Sequence, residues 1–176
     1  LLFRETGLKG AFLIEPERLE DERGFFARTW CPEELESQGL DSKISQCSIS
    51  FNSRKGTLRG MHFQREPHAE VRIVRCTAGR IYDVMIDLRR ESATFCRWHA
   101  AELSSENRSM LYVPKGFAHG FQTLQDDAEV LYMMSEPYHQ ASAAGVRWDD
   151  PAFAIEWPLE VTVISQRDRE YPDFKG

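Results

Sequence analysis

Two of the five histidines, one tyrosine and three aspartates are the side chains of this 176-residue sequence best suited to moving protons. His62 lies in Gly56-Thr57-Leu58-Arg59-Gly60-Met61-His62-Phe63-Gln64, an apolar run broken by one arginine and one imidazole. Side chains alternate along a strand, so Leu58, Gly60, His62 and Gln64 are expected on one face and Arg59, Met61 and Phe63 on the other. An imidazole with an ordinary pKa of about 6.5 accepts a proton at neutral pH, more readily where a carboxylate steadies its second nitrogen. Asp83, Asp87 and Asp168 are the candidate partners, and the sequence does not choose among them. Tyr132, within Glu129-Val130-Leu131-Tyr132-Met133-Met134, is a phenol on a buried-looking strand, which needs a hydrogen-bond partner or a chemical task. With an ordinary pKa of about 10 it rests protonated and can protonate a carbanion. Each group has a plain alternative as a satisfied core side chain. A base on one face of a substrate and a phenol on the other would invert a stereocentre.

Two other chemistries compete with this pair. His62, His119 and Glu70 could converge on a metal, since neutral imidazole is a preferred ligand for zinc, iron and copper. Metal sites in small barrels typically use a His-x-His pair, and the second position here is Gln64, so no bound metal or other cofactor is expected. A serine or cysteine nucleophile fares worse. No Gly-x-Ser-x-Gly elbow occurs, and Cys31, Cys47, Cys76 and Cys96 are widely spaced with no C-x-x-C pair. They read as free thiols of a reducing cytoplasm.

The elements that must position these groups are short strands. Phe12–Ile14, Gly24–Trp30, Ile44–Phe51, Thr57–Phe63, Val71–Cys76, Arg80–Leu88, Arg97–Leu103, Met110–Val113, His119–Leu124 and Ala128–Met134 are rich in aromatic and β-branched residues and are punctuated by turns. Such close spacing predicts an all-β sandwich or barrel of jelly-roll type. One helix is expected from Pro32, with Glu33 and Glu34 at its positive end and Gly39 to terminate it, and a weaker helical turn over Ser165–Glu170. Pro114-Lys115-Gly116 bends the chain just before His119. With 41% hydrophobic residues, no repeat and no linker, the whole of 1–176 is expected to form one domain. A net charge of -6 argues against a nucleic-acid or anionic-membrane partner. No apolar run has the length of a membrane span and no targeting signal is visible, so a cytoplasmic protein is expected.

Several stretches together resemble the dTDP-4-dehydrorhamnose 3,5-epimerase family. They are Asp21-Glu22-Arg23-Gly24-Phe25-Phe26, Leu58 to Gln64, Tyr82 to Arg89, Leu103 to Asn107, Pro114 to Phe121, Ala128 to Tyr132, Trp148-Asp149-Asp150-Pro151 and Ile155-Glu156-Trp157-Pro158. The match is collinear over nearly the whole chain. The resemblance implies a cupin-type jelly-roll β-barrel with one or two short helices. It implies a metal-free epimerase that inverts carbons flanking the ketone of a nucleotide-linked 4-keto-6-deoxyhexose through an enolate, in deoxysugar biosynthesis for O-antigen and other cell-surface polysaccharides. His62 would be the base, Asp168 its partner and Tyr132 the acid. Arg23 and Arg59 would bind the diphosphate, and Phe26, Gln46, His119, Tyr138 and Arg167 would also contact the substrate. A homodimer with exchanged N-terminal strands would carry Arg23 and Phe26 to the neighbour's pocket.

This chain also departs from the family pattern. Arg72 stands where the family has lysine; it keeps the charge that would stabilise an enolate oxygen but cannot give up a proton. Arg28 replaces a glutamate after Arg23-Gly24-Phe25-Phe26, and Ser48 replaces an asparagine after Gln46. If position 28 faces the base, an arginine would donate to cytosine where a carboxylate would accept from thymine, so CDP in place of dTDP is an expectation. A nucleotide-sugar keto-isomerase and a non-catalytic sugar-binding cupin are the rival readings.

Overall fold

The computed structural model describes residues 1–176. In chain order the strands are β1 (Leu2–Glu5), β2 (Phe12–Glu15), β3 (Arg18–Asp21), β4 (Gly24–Ala27), β5 (Gln46–Asn52), β6 (Thr57–Gln64) and β7 (Arg72–Ala78), with helix α1 (Pro32–Ser37) between β4 and β5. There follow β8 (Arg80–Asp87), β9 (Trp98–Ser104), β10 (Met110–Val113), β11 (Phe117–Thr123), β12 (Ala128–Met134), β13 (Ala143–Gly145), β14 (Val163–Ile164) and helix α2 (Gln166–Arg169). One sheet runs β1-β2-β10-β7-β12-β5 and the other β13-β6-β11-β8-β9, with β14 parallel to β6; β3 and β4 form a separate hairpin. The two large sheets face each other as a cupin-type jelly roll.

All ten expected strands are present, Met110–Val113 and Ala128–Met134 with the expected bounds and the others with shifted ends. β1, β3, β13 and β14 were not expected, for a physical reason. Leu2–Glu5, Arg18–Asp21, Ala143–Gly145 and Val163–Ile164 have no apolar alternation of useful length, and each is held by pairing with a neighbour rather than by its own preference. The segment expected to run to Trp30 ends at Ala27, where the chain turns toward α1. α1 begins at Pro32 as its composition predicts, and Gly39 follows its end with φ +71, donating its N–H to the carbonyl of Glu36.

The space between the sheets is filled unevenly. Val74, Cys76, Ile81, Met85, Leu103, Leu111, Phe117, Phe121 and Val130 fill one end as an apolar core. Outside the first sheet, Leu35 and Leu40 pack α1 onto Ile14, Ile73 and Met110. Outside the second, Met61, Val84, Ile86 and Ala118 are covered by Val146 and Phe153. The other end of the interior is left to polar side chains. No helix is long and apolar enough to cross a membrane, and the four cysteines are free.

The strict alternation expected along β6 fails. His62 pairs with His119 and Arg59 with Phe121, so β6 spends three steps where β11 spends two. This bulge inserts one residue and turns Arg59 to the same interior as His62, while Met61 goes to the outer cluster. Glycine makes it possible. Gly60 has φ +138, and a β-carbon there would lie 2.5 Å from the Cα of Gly120. Gly60→Ala should therefore cost about 2–3 kcal/mol in urea unfolding and lower activity by more than its effect on stability explains, because Arg59 and His62 lose their common face.

Candidate active site

The polar end of the interior is a cavity of about 460 Å³, open at one side, a size suited to a small-molecule ligand. β6 contributes Arg59, His62 and Gln64, β11 contributes His119, and both belong to the second sheet. From the first sheet, β5 contributes Gln46, Ser48 and Ser50, β7 contributes Arg72, and β12 contributes Tyr132 and Met134. Tyr138 and Arg167 complete the wall from loop and helix. His62 and Tyr132 therefore reach one space from opposing sheets.

Behind His62 stands Asp168, whose Oδ1 lies 2.6 Å from Nε2 of the imidazole. The local sequence explains the placement. Ser165 caps α2 and its Oγ accepts the N–H of Asp168 at 3.1 Å, while β14 ties this segment to β6. Asp168 Oδ2 accepts the N–H of Gly60 at 3.2 Å. Burial works to raise its carboxyl, yet the His62 hydrogen bond and charge and the Gly60 N–H together hold it below the usual aspartate range. Tyr171 packs edge-on against His62, with ring centroids 6.3 Å apart.

The other aspartate candidates serve elsewhere. Asp83 Oδ1 lies 2.7 Å from Nε2 of His119, both side chains being buried, and burial pushes the Asp83 carboxyl up. Asp87 is buried too, but hydrogen bonds from Arg89, Ser92 and Thr94 outweigh that and bring it down to about 2. Tyr132 packs edge-on to His119 and donates to no protein acceptor; burial foremost, then the Asp83 charge, raises its phenol, with Arg72 and Arg59 opposing. It is a phenol that stays protonated.

The cationic wall is also anchored. Arg59 Nε donates to Oδ1 of Asn52 at 2.7 Å. Arg72 Nε donates to Glu70 Oε1 at 2.8 Å and Arg72 Nη1 to the carbonyl of His62 at 3.0 Å. His62, His119 and Glu70, the candidate metal set, are each committed to a separate partner, and no group of three His, Cys, Asp or Glu side chains converges. Gln46 is held between the Tyr138 N–H and the Ser48 hydroxyl.

Three expected substrate residues lie outside the cavity of their own chain. Arg23 pairs with Asp21 on the β3–β4 hairpin, Phe26 on the same hairpin is 73% exposed, and Arg28 pairs with Glu34. Conversely, Ser50, Asn52, Asp83 as the partner of His119, Glu70 as the anchor of Arg72, and Tyr171 were not singled out for these places. Only the alternation of β5, which turns Gln46, Ser48, Ser50 and Asn52 inward together, could have signalled two of them.

A jelly roll of this type, with an aspartate-backed imidazole facing a phenol across a cation-lined cavity, defines a cupin-type sugar epimerase. The family model described as dTDP-4-dehydrorhamnose 3,5-epimerase matches residues 5–176. The chain belongs to that family and is an isomerase. A dTDP-4-dehydrorhamnose 3,5-epimerase from Methanothermobacter thermautotrophicus is 43% identical over 176 residues, covering 98% of this chain and 94% of its own. The crystal structure of the Elizabethkingia anophelis enzyme of that name is similar with a TM-score of 0.96 at 38% identity, covering 98% of this chain and 96% of that one. That of the Bacillus anthracis enzyme, with TDP and PPi bound, gives 0.94 at 39% identity, covering 98% and 99%.

The Asp168 pairing has a pH signature. A carboxyl depressed on folding adds stability that is complete above the ordinary aspartate value, about 3.9, and is lost as pH falls through the lower folded value. The urea midpoint of wild type should exceed that of Asp168→Asn at pH 6, and the gap should close as the pH is taken below about 4.

Proposed function

We propose that the cavity binds a nucleoside-diphosphate-linked 4-keto-6-deoxyhexose and inverts a carbon next to the ketone, at C3, C5 or both. The observation that carries this is the entry of His62 and Tyr132 into one cavity from opposing sheets. With Nε2 engaged by Asp168, Nδ1 is the nitrogen free to take the substrate proton. The carboxylate fixes the ring and steadies the imidazolium that forms. Loss of the proton places negative charge on the ketone oxygen, where Arg72 and His119 would meet it. Tyr132, kept protonated, delivers a proton to the opposite face. Arg59 and Arg167 would hold the diphosphate by charge-assisted hydrogen bonds, with Gln46, Ser48 and Tyr138 beside the sugar or base.

Thymidine is the nucleotide this reading favours, supported by the TDP bound to the Bacillus anthracis relative. Cytidine requires Arg28 to face the base; Arg28 is paired to Glu34 outside its own chain's cavity and, like Arg23 and Phe26, would reach a base only in a second copy. Arg23 and Phe26 would act on a second copy. The β3–β4 hairpin exposes Leu19 by 69% and Phe26 by 73%, a surface suited to exchange within a homodimer.

The test is incubation with dTDP-, UDP- and CDP-linked 4-keto-6-deoxyglucose in heavy water, with label and products located by NMR. Wild type should place deuterium next to the ketone with inversion, fastest for dTDP. His62→Ala should lower the rate by about 10²–10⁴-fold, and Tyr132→Phe should spare exchange more than inversion. A product with its carbonyl moved would instead show a keto-isomerase, and absence of exchange would remove the catalytic reading.

A further inference from the structure

The Glu70–Arg72 ion pair is buried in the cavity wall, its side chains 5% and 13% exposed. Glu70 Oε1 accepts from Arg72 Nε at 2.8 Å and also from Nη2, while Glu70 Oε2 accepts from Gln64 Nε2 at 2.6 Å. Arg72 Nη1 donates to the main-chain carbonyl of His62 at 3.0 Å, so the guanidinium is pinned to the strand that carries the imidazole. A guanidinium has five N–H groups; three are committed here, which leaves two for a ligand. Gln64 is fixed in turn: its two Nε2 N–H groups are shared among the Glu70 carboxylate and the carbonyls of His68 and Pro137, and its Oε1 accepts the N–H of His139. Arginine on a free stem samples many rotamers, and ordering it costs entropy at the moment of reaction. Here that ordering precedes the substrate. The carboxylate also offsets the guanidinium charge, so a developing oxyanion would meet two directed N–H donors rather than an unbalanced cation.

We propose that Glu70 is a positioning residue for epimerisation, clamping Arg72 so that its two uncommitted N–H groups face the ketone oxygen. This rests on the reading of Arg72 as the oxyanion donor. Glu70 acts only through Arg72, so its effect must vanish when Arg72 is gone.

The experiment compares Glu70→Gln in wild type and in Arg72→Ala, reading kcat and KM for dTDP-4-keto-6-deoxyglucose together with the arginine Nε–H resonances of the ¹⁵N-labelled folded protein. The wild-type spectrum should hold a slowly exchanging Nε–H signal that Arg72→Ala identifies by removing. Glu70→Gln should broaden or remove that signal and lower kcat about tenfold or more with KM changed less than about threefold; in Arg72→Ala the same substitution should change kcat less than about twofold. Should Glu70→Gln not fold, Glu70→Asp, which keeps the charge and shortens the reach, carries the same comparison. Equal losses in both backgrounds, an unchanged kcat, or a persistent Nε–H signal in Glu70→Gln would overturn the proposal. A wild-type protein that incorporates no deuterium defeats the substrate reading separately, because the Nε–H signal reports the clamp without turnover.

Discussion

A polar side chain lining a cavity holds one orientation, and offers chosen atoms to a ligand, only when something behind it answers its other hydrogen-bonding groups. This cavity obeys that constraint at each of four positions. Asp168 stands behind His62, Asp83 behind His119, Glu70 behind Arg72, and the Asn52 amide behind Arg59. The supporting groups come from α2, β8, the loop just before β7, and β5. The site is thus built in two layers, and the inner layer decides which atoms of the outer one remain free. His62 keeps Nδ1, Arg72 keeps two N–H groups, and Tyr132 keeps its whole hydroxyl.

The same constraint divides the barrel. Large apolar side chains close one end, and the polar layers occupy the other, with Tyr132 packed against both. Because Tyr132 sits at that boundary, burial keeps its proton on while its hydroxyl lacks a protein acceptor. The β6 bulge serves the polar half: without the extra residue Arg59 would point into the layer that holds Met61 and Val84. One irregularity therefore settles how cation and base share a wall.

The jelly roll was legible because its central strands carry long β-branched and aromatic patterns. The edge pieces were not, because Arg18–Asp21 and Val163–Ile164 take their form from neighbours. His62, Tyr132, Asp168 and Arg72 stood out by residue type and by likeness to a family, and the cavity gathers all but Asp168, which lies directly behind its wall. The common face of Arg59 and His62 was hidden, since periodicity presumes one residue per step and a bulge is a pairing property. The choice among Asp83, Asp87 and Asp168 was hidden for a similar reason: His62 and Asp168 are 106 positions apart, and only the docking of β14 joins them.

That docking ties being armed to being fully folded. β14 and α2 reach β6 after a long irregular passage beyond Gly145, and the sheets on either side of the interior close without them. A cut in that passage followed by release of the downstream piece would strip His62 of its carboxylate partner and uncover Met61, Val84 and Ile86 on the outer face of the second sheet. The segment that arms the imidazole therefore also adds to the strength of the fold, so its loss would weaken resistance to unfolding and remove competence in turnover together.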